Sequence, residues 1–165
     1  MNKLIECVPN FSEGNDMNII RQITDQIESI EGVKLLNVDP GKATNRTVVT
    51  FVGEPAKVVE AAFLAIRKAA ELIDMSKHKG EHPRMGATDV CPFIPIANIS
   101  MEETADYAQQ LAARVGNELK IPVYLYEAAQ KNPARKNLSV IRAGEYEGFF
   151  KKIKLPEWKP DFGPA

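Results

Sequence analysis

Two cysteines and two histidines in 165 residues leave little material for cross-links or metal centres. Cys7 and Cys91 each sit in an apolar, strand-like run, so they read as free buried thiols of a reducing compartment rather than a disulfide. Long hydrophobic runs are missing too. No stretch reaches the ~18 apolar residues of a membrane-spanning helix, and no signal peptide opens the chain, so a cytoplasmic protein without a membrane partner is expected. Net charge is −1. That removes both the basic field that argues for nucleic acid and the acidic tail that argues for disorder. A G-x-G-x-x-G motif is absent, which leaves a dinucleotide fold unsupported. Gly41-Lys42-Ala43-Thr44 resembles the end of a phosphate loop, but Leu36 stands where that loop needs its first glycine. Neither an internal repeat nor a low-complexity tract occurs. What is present is an ordinary globular composition, 44% hydrophobic. The length suits one domain that buries roughly 70% of its unfolded surface.

The chain alternates between the two hydrophobic periods. Residues 3–11 read as a short strand ending in a polar turn, after which Asn15 and Asp16 can cap a helix. Ile19, Ile20, Ile23, Ile27 and Ile30 recur at helical spacing, and Gly32 ends that helix. Residues 33–38 and 47–52 read as an antiparallel pair of strands around a turn-rich loop, residues 39–46. Pro55 opens a second helix with Val58, Ala62, Phe63, Ile66 and Ala69 inward. Residues 90–99 read as a strand. Ser100 and Glu103 form a capping box before a third helix, and residues 121–126 read as a last strand. A polar segment with a turn near Arg142 follows, then a basic tail. The order β-α-β-β-α-β-α-β predicts an α+β fold over residues 1–165: a ferredoxin-like mixed β-sheet with helices packed mainly on one face.

Both histidines fall in residues 77–95, KHKGEHPRMGATDVCPFIP. Gly80, Pro83 and Gly86 predict a shaped loop rather than a helix, and Pro83 biases His82 toward an extended conformation that could face a cleft. A plain solvated loop with two surface histidines fits the periodicity as well. The run from His78 through Glu81 to His82 also matches the H-x-x-E-H pattern of a zinc hydrolase family. That chemistry needs both histidines on one helical face, which Gly80 and Pro83 oppose, so no metal is expected.

Three blocks carry a family resemblance: Glu6-Cys-Val-Pro-Asn-Phe-Ser-Glu-Gly14, residues 39–46, and Gly80-Glu-His-Pro-Arg-Met-Gly-Ala-Thr-Asp-Val-Cys-Pro-Phe-Ile-Pro95. The third is long and rich in unusual residues. Together they resemble the N-terminal subdomain of glutamate formimidoyltransferase over the whole chain. The resemblance implies transfer of the formimino group of N-formimidoyl-L-glutamate to N5 of tetrahydrofolate, in histidine breakdown, with His82 as the catalytic residue. It implies tetrahydrofolate as co-substrate, with a folate-contacting segment beginning about where the chain stops, which makes Gly163, Pro164 and Ala165 its candidate contacts. It also implies a second, C-terminal subdomain, in the same chain or in a partner chain.

The residue chemistry fits this reading. Both substrates carry carboxylates, which suit Lys42, Arg46, Lys79 and Arg84, although a solvated surface role fits each cation singly as well. Asp39 could orient His82 or receive an amidinium, or serve only as a turn former. Asn10, at the end of the first strand, is a weaker candidate of the same kind. A binding module without turnover of its own is the alternative. The tail from Trp158 to Pro164 reads as a strap leading onward, and exposed apolar surface suggests a homo-oligomer such as a dimer.

Overall fold

The structure, a computed structural model, describes residues 2–82 and 84–164. Pro83 and Ala165, both named above, lie outside the described residues.

Four ribbons form one sheet. β1 (Leu4–Cys7) and β2 (Asn10–Phe11) run end to end along one side of β4 (Arg46–Gly53), and β3 (Val33–Gly41) lies along its other side. β5 (Thr88–Val90) pairs with β2, and β6 (Phe93–Ala97) pairs with β1. Every described strand pairing is antiparallel, which corrects the expected mixed sheet. The reason is topological. Each helical crossover joins ribbons with another ribbon inserted between them, so parallel relations fall between next-nearest neighbours. The coarser expectation, an α+β fold, holds.

Burial along β4 alternates without exception. Thr47, Val49, Phe51 and Gly53 are buried, while Arg46, Val48, Thr50 and Val52 are half-exposed. The buried set faces the helices. α1 (Met17–Glu28) starts at Asp16, whose carboxylate accepts from the Asn18 and Ile19 amides, and it buries Ile20, Ile23 and Ile27. α2 (Pro55–Leu72) begins at proline and buries alanines at 61, 62, 65 and 69, small enough to bring its backbone close to the sheet. α3 (Met101–Arg114) is capped by Ser100 as expected. Ile5, Cys7, Phe11, Val49 and Phe51 meet these helices in one core, leaving the opposite face of the sheet without a covering layer among the described residues.

Three expectations fail locally. The strand read over residues 90–99 is broken at Cys91 and Pro92, where the Pro92 carbonyl accepts from the Val8 amide instead. Residues 121–126 make no ladder, only one bridge between Val123 and Phe162. Their backbone groups go to the tail: Val123 pairs with Phe162, and the Leu125 amide donates to the Asp161 carboxylate at 2.7 Å. The segment read as polar coil holds two helices, α4 (Leu138–Arg142) and α5 (Glu145–Lys152). The tail itself folds back, with Tyr124 edge-on to Phe149 and Trp158.

Candidate active site

Register places the candidate residues. Asp39 pairs with Val48, and Val48 pairs with Asn10, so these three form one cross-strand row. Since paired residues share a face, Asn10 and Asp39 both project from the uncovered side, roughly 10 Å apart across the intervening strand. Arg46, two residues before Val48 on the same strand, shares that side. Residues separated by 29 or more positions in sequence (Asn10, Asp39) are thus neighbours on one exposed surface.

The loop of His82 docks beside them. Gly80 approaches the Thr44 carbonyl so closely that a Cβ would overlap it. The Glu81 amide donates to the Ala43 carbonyl at 3.1 Å. Asn45 completes the clasp. It adopts φ 48°, a conformation asparagine tolerates, and its side-chain amide donates to the Lys79 carbonyl at 3.0 Å while its Oδ1 accepts from the Gly14 amide at 2.9 Å. These contacts bring half-buried His82 against Arg46, whose Nη1 lies 2.7 Å from His82 Nε2. A guanidinium can only donate, so Nε2 is the acceptor and the imidazole of this pair is neutral.

His78 is used differently. It is 8% exposed, follows the short 3₁₀ turn Met75–Lys77 in an extended conformation, and so lies outside the helix that H-x-x-E-H chemistry needs. Its Nε2 donates to the Asn45 carbonyl at 2.8 Å and its Nδ1 accepts from Arg84 Nε at 2.9 Å. Arg84, 7% exposed, holds both oxygens of Glu147 at 2.7 Å and reaches Glu145 at 3.1 Å. The bond to Arg84, more than any other contact, pulls the Glu147 carboxyl down to about 2. Arg84 is therefore engaged inside the fold rather than presented on the open face. Asn45, Glu145 and Glu147 were not singled out by sequence. Only Asn45 left a signal, as an asparagine in a turn.

Lys42 is exposed in the β3–β4 hairpin, and Lys79 is exposed in the histidine loop. Gly163 (φ 87°) and Pro164 sit in the tail beside residues 121–123. Pro164 also borders an apolar cavity of about 1140 Å³ lined by Met85, Tyr126, Phe149 and residues of α2 and α3. That cavity offers neither histidine nor arginine. His82 and Arg46, with Asn10 and Asp39, are gathered at the sheet's open face, and we place the candidate site there because an imidazole and a guanidinium are the groups suited to proton transfer and to carboxylates. Cys7 and Cys91 are free thiols with sulfurs 3.5 Å apart, and burial pushes the Cys7 thiol up. No helix among the described residues is long and apolar enough to cross a membrane.

The uncovered face of this α+β half-sandwich carries a half-buried histidine–arginine pair, and the comparisons give the family of the chain. Residues 4–165 match the family model of the formiminotransferase domain, N-terminal subdomain, and the chain belongs to that family. It is 57% identical over 165 residues to the formimidoyltransferase-cyclodeaminase of Mus musculus, covering 100% of this chain and 30% of that protein. It is 50% identical over 164 residues to the glutamate formimidoyltransferase of Thermoplasma acidophilum, covering 98% of this chain and 54% of that protein. The Streptococcus pyogenes serotype M1 glutamate formimidoyltransferase is 46% identical over 163 residues, with 99% and 54% covered. The chain thus spans about half the length of the glutamate formimidoyltransferases it matches, and under a third of the cyclodeaminase.

Proposed function

We propose that this chain supplies one wall of a formiminotransferase active site, moving the formimino group of N-formimidoyl-L-glutamate to N5 of tetrahydrofolate in histidine degradation. The observation that carries this reading is the juxtaposition of neutral His82 with Arg46 on an uncovered face that also bears Asn10 and Asp39. The names of the relatives support the reaction class. N5 of the folate attacks the amidine carbon and loses its proton, and the bond from that carbon to the glutamate nitrogen breaks as the nitrogen gains one. A positioned imidazole can perform both transfers, taking the proton and then giving it up. Arg46 and Lys42 answer substrate carboxylates, Asp39 faces the cationic amidine, and Asn10 donates and accepts beside it. Gly163, Pro164 and Ala165 begin the folate-contacting segment. Arg84, committed to Glu147 and His78, holds the loop.

The same reading takes the β-α-β-β-α-β core as ferredoxin-like and the protein as cytoplasmic. It assigns the open face to a C-terminal subdomain, whether in a longer chain, a separate partner or, failing both, a second copy. Ile94 and Ile96, 41% and 51% exposed on β6, support a surface made to be covered. The test is an assay of formimino transfer by the 165-residue chain with and without a separately supplied C-terminal half. Activity should appear on mixing. Full turnover by the chain alone would overturn the division of the site, and inactivity of the mixture would overturn the reaction.

A further inference from the structure

Two arginine–histidine pairs occur among the described residues, and their guanidinium groups are partnered differently. In Arg84–His78 the charge is balanced: two carboxylates hold the guanidinium, both imidazole nitrogens are bonded, and the pair is buried. In Arg46–His82 the guanidinium donates to a neutral ring nitrogen, and among the described residues no carboxylate lies within ion-pair distance of Arg46. Arg84, Arg114, Arg135 and Arg142 each have one, whereas Arg21 and Arg67, on the helices, share its lack among the described residues but face no histidine. A neutral imidazole is a poor substitute for a carboxylate, which would bind the guanidinium with two charge-assisted bonds. The Arg46 side chain is also half-exposed on the uncovered face, where a ligand can reach it.

We infer that Arg46 is a carboxylate-operated cap on His82: it covers Nε2 in the unliganded chain and uncovers it when a glutamate-type carboxylate takes the guanidinium. This rests on the transfer reaction proposed above and adds an order to it. The lone pair that must accept the N5 proton is the one Arg46 occupies, so His82 cannot act as a base until a carboxylate has arrived. Arg46 stays cationic throughout, while the proton passes from folate N5 to Nε2 and from there to the departing glutamate nitrogen. Substrates without the carboxylate lose more than binding energy, because the base stays covered. The cap therefore ties recognition to chemistry and should appear in turnover as well as in affinity. A carboxylate could come from the formimino donor or from the glutamyl tail of folate, and we assign it to the donor.

Diethylpyrocarbonate labelling of the full chain at about pH 8, read for each histidine by mass spectrometry, tests this without requiring turnover, since the reagent attacks unprotonated imidazole. His82 of the unmodified chain should label slowly. Arg46→Gln should raise its rate about three- to tenfold, the range expected for losing a charged hydrogen bond at a partly solvated site. L-glutamate should accelerate labelling of His82 in the unmodified chain, the reverse of ordinary ligand protection, and should have no such effect in Arg46→Gln. Acceleration by p-aminobenzoyl-L-glutamate but not by L-glutamate would keep the cap and move its trigger to folate. His78 serves as the fold control and should stay unreactive. If it labels in the variant, the glutamate arm on the unmodified chain decides alone. Protection of His82 by both ligands, or an unchanged rate in a folded Arg46→Gln, would overturn the cap. Such a result beside intact transfer by the assembled enzyme would leave the reaction assignment standing.

Discussion

Arg84 and Glu147 meet through both carboxylate oxygens at 2.7 Å, joining side chains 63 positions apart and anchoring the histidine loop to α5. The same guanidinium donates to the His78 ring and to the His78 carbonyl, at 2.9 and 3.0 Å. His78 in turn donates to Asn45 in the hairpin that leads into Arg46. A continuous chain of hydrogen bonds therefore runs from the C-terminal helices to the strand carrying the candidate site.

Arg84→Ala should break that chain at its centre. It removes a buried cation and leaves the His78 Nδ1 and carbonyl without their donor, a loss of about 2–4 kcal/mol after allowing for the exposure of the two glutamates. Arg84→Lys should recover little, because one ammonium cannot grip both Glu147 oxygens while donating sideways to an imidazole. Urea unfolding of the three proteins is the measurement. Equal stability of Arg84→Lys and the unmodified chain would show that charge alone matters.

The Arg84–Glu147 contact also carries a pH signature. Glu147 is depressed from an ordinary 4.5 to about 2 in the folded chain, chiefly by its bond to Arg84. A depressed carboxyl binds more protons when unfolded, so its stabilisation is fully present above about pH 4.5 and is lost as pH falls toward 2. Glu147→Gln should flatten stability over that window, lowering it at neutral pH and changing little near pH 2. Thermal melts between pH 2.5 and 6 would show an undiminished slope if another carboxylate were responsible.

Two glycines should behave oppositely. Gly80→Ala drives a Cβ into the Thr44 backbone carbonyl, so the histidine loop must lift from the hairpin. About 2 kcal/mol or more should be lost, lowering the melting temperature by about 4–8 °C. Gly148, inside α5, has nothing within 4 Å of its added Cβ. Gly148→Ala should be neutral or stabilise by about 0.5–1 kcal/mol. Calorimetry of both variants decides the matter, and a melting temperature unchanged by Gly80→Ala would mean that the loop is not clasped as described.

Much of this was legible in the chain because burial there is periodic. Residues 47–52 alternate and the isoleucines of α1 recur at helical spacing, so both elements and the one-sided packing follow from local pattern. Asn10, Asp39, Arg46 and His82 could be nominated as residues, but their meeting depends on register between strands, which no local pattern encodes. The 121–126 segment misleads because its β-branched and aromatic residues suit a strand, whereas its backbone partners sit in a tail nearly 40 positions on, at Asp161 and Phe162. α5 was hidden by Gly148, although the Tyr146–Phe150 ring pair at helical spacing, 5.2 Å between centroids, was a usable sign. Glu147 could not have been found, since its partner is set wholly by tertiary packing.

The two histidines should separate function from stability. His82 is half-buried beside Arg46 at the open face. In the enzyme assembled with its C-terminal half, His82→Ala should lower turnover by about 10²–10⁴, the usual contribution of a positioned acid–base group, with little change in melting temperature. His78 lies in the same loop. Its ring, however, fills a buried position and bonds at both nitrogens. His78→Ala should therefore cost about 2–3 kcal/mol, leaving Arg84 Nε and the Asn45 carbonyl unmatched, while turnover per folded molecule falls far less than in His82→Ala. Turnover corrected for the folded fraction, measured beside a denaturation curve for each variant, separates the two. Equal corrected losses, or full turnover by His82→Ala, would show that the acid–base role lies elsewhere on the open face.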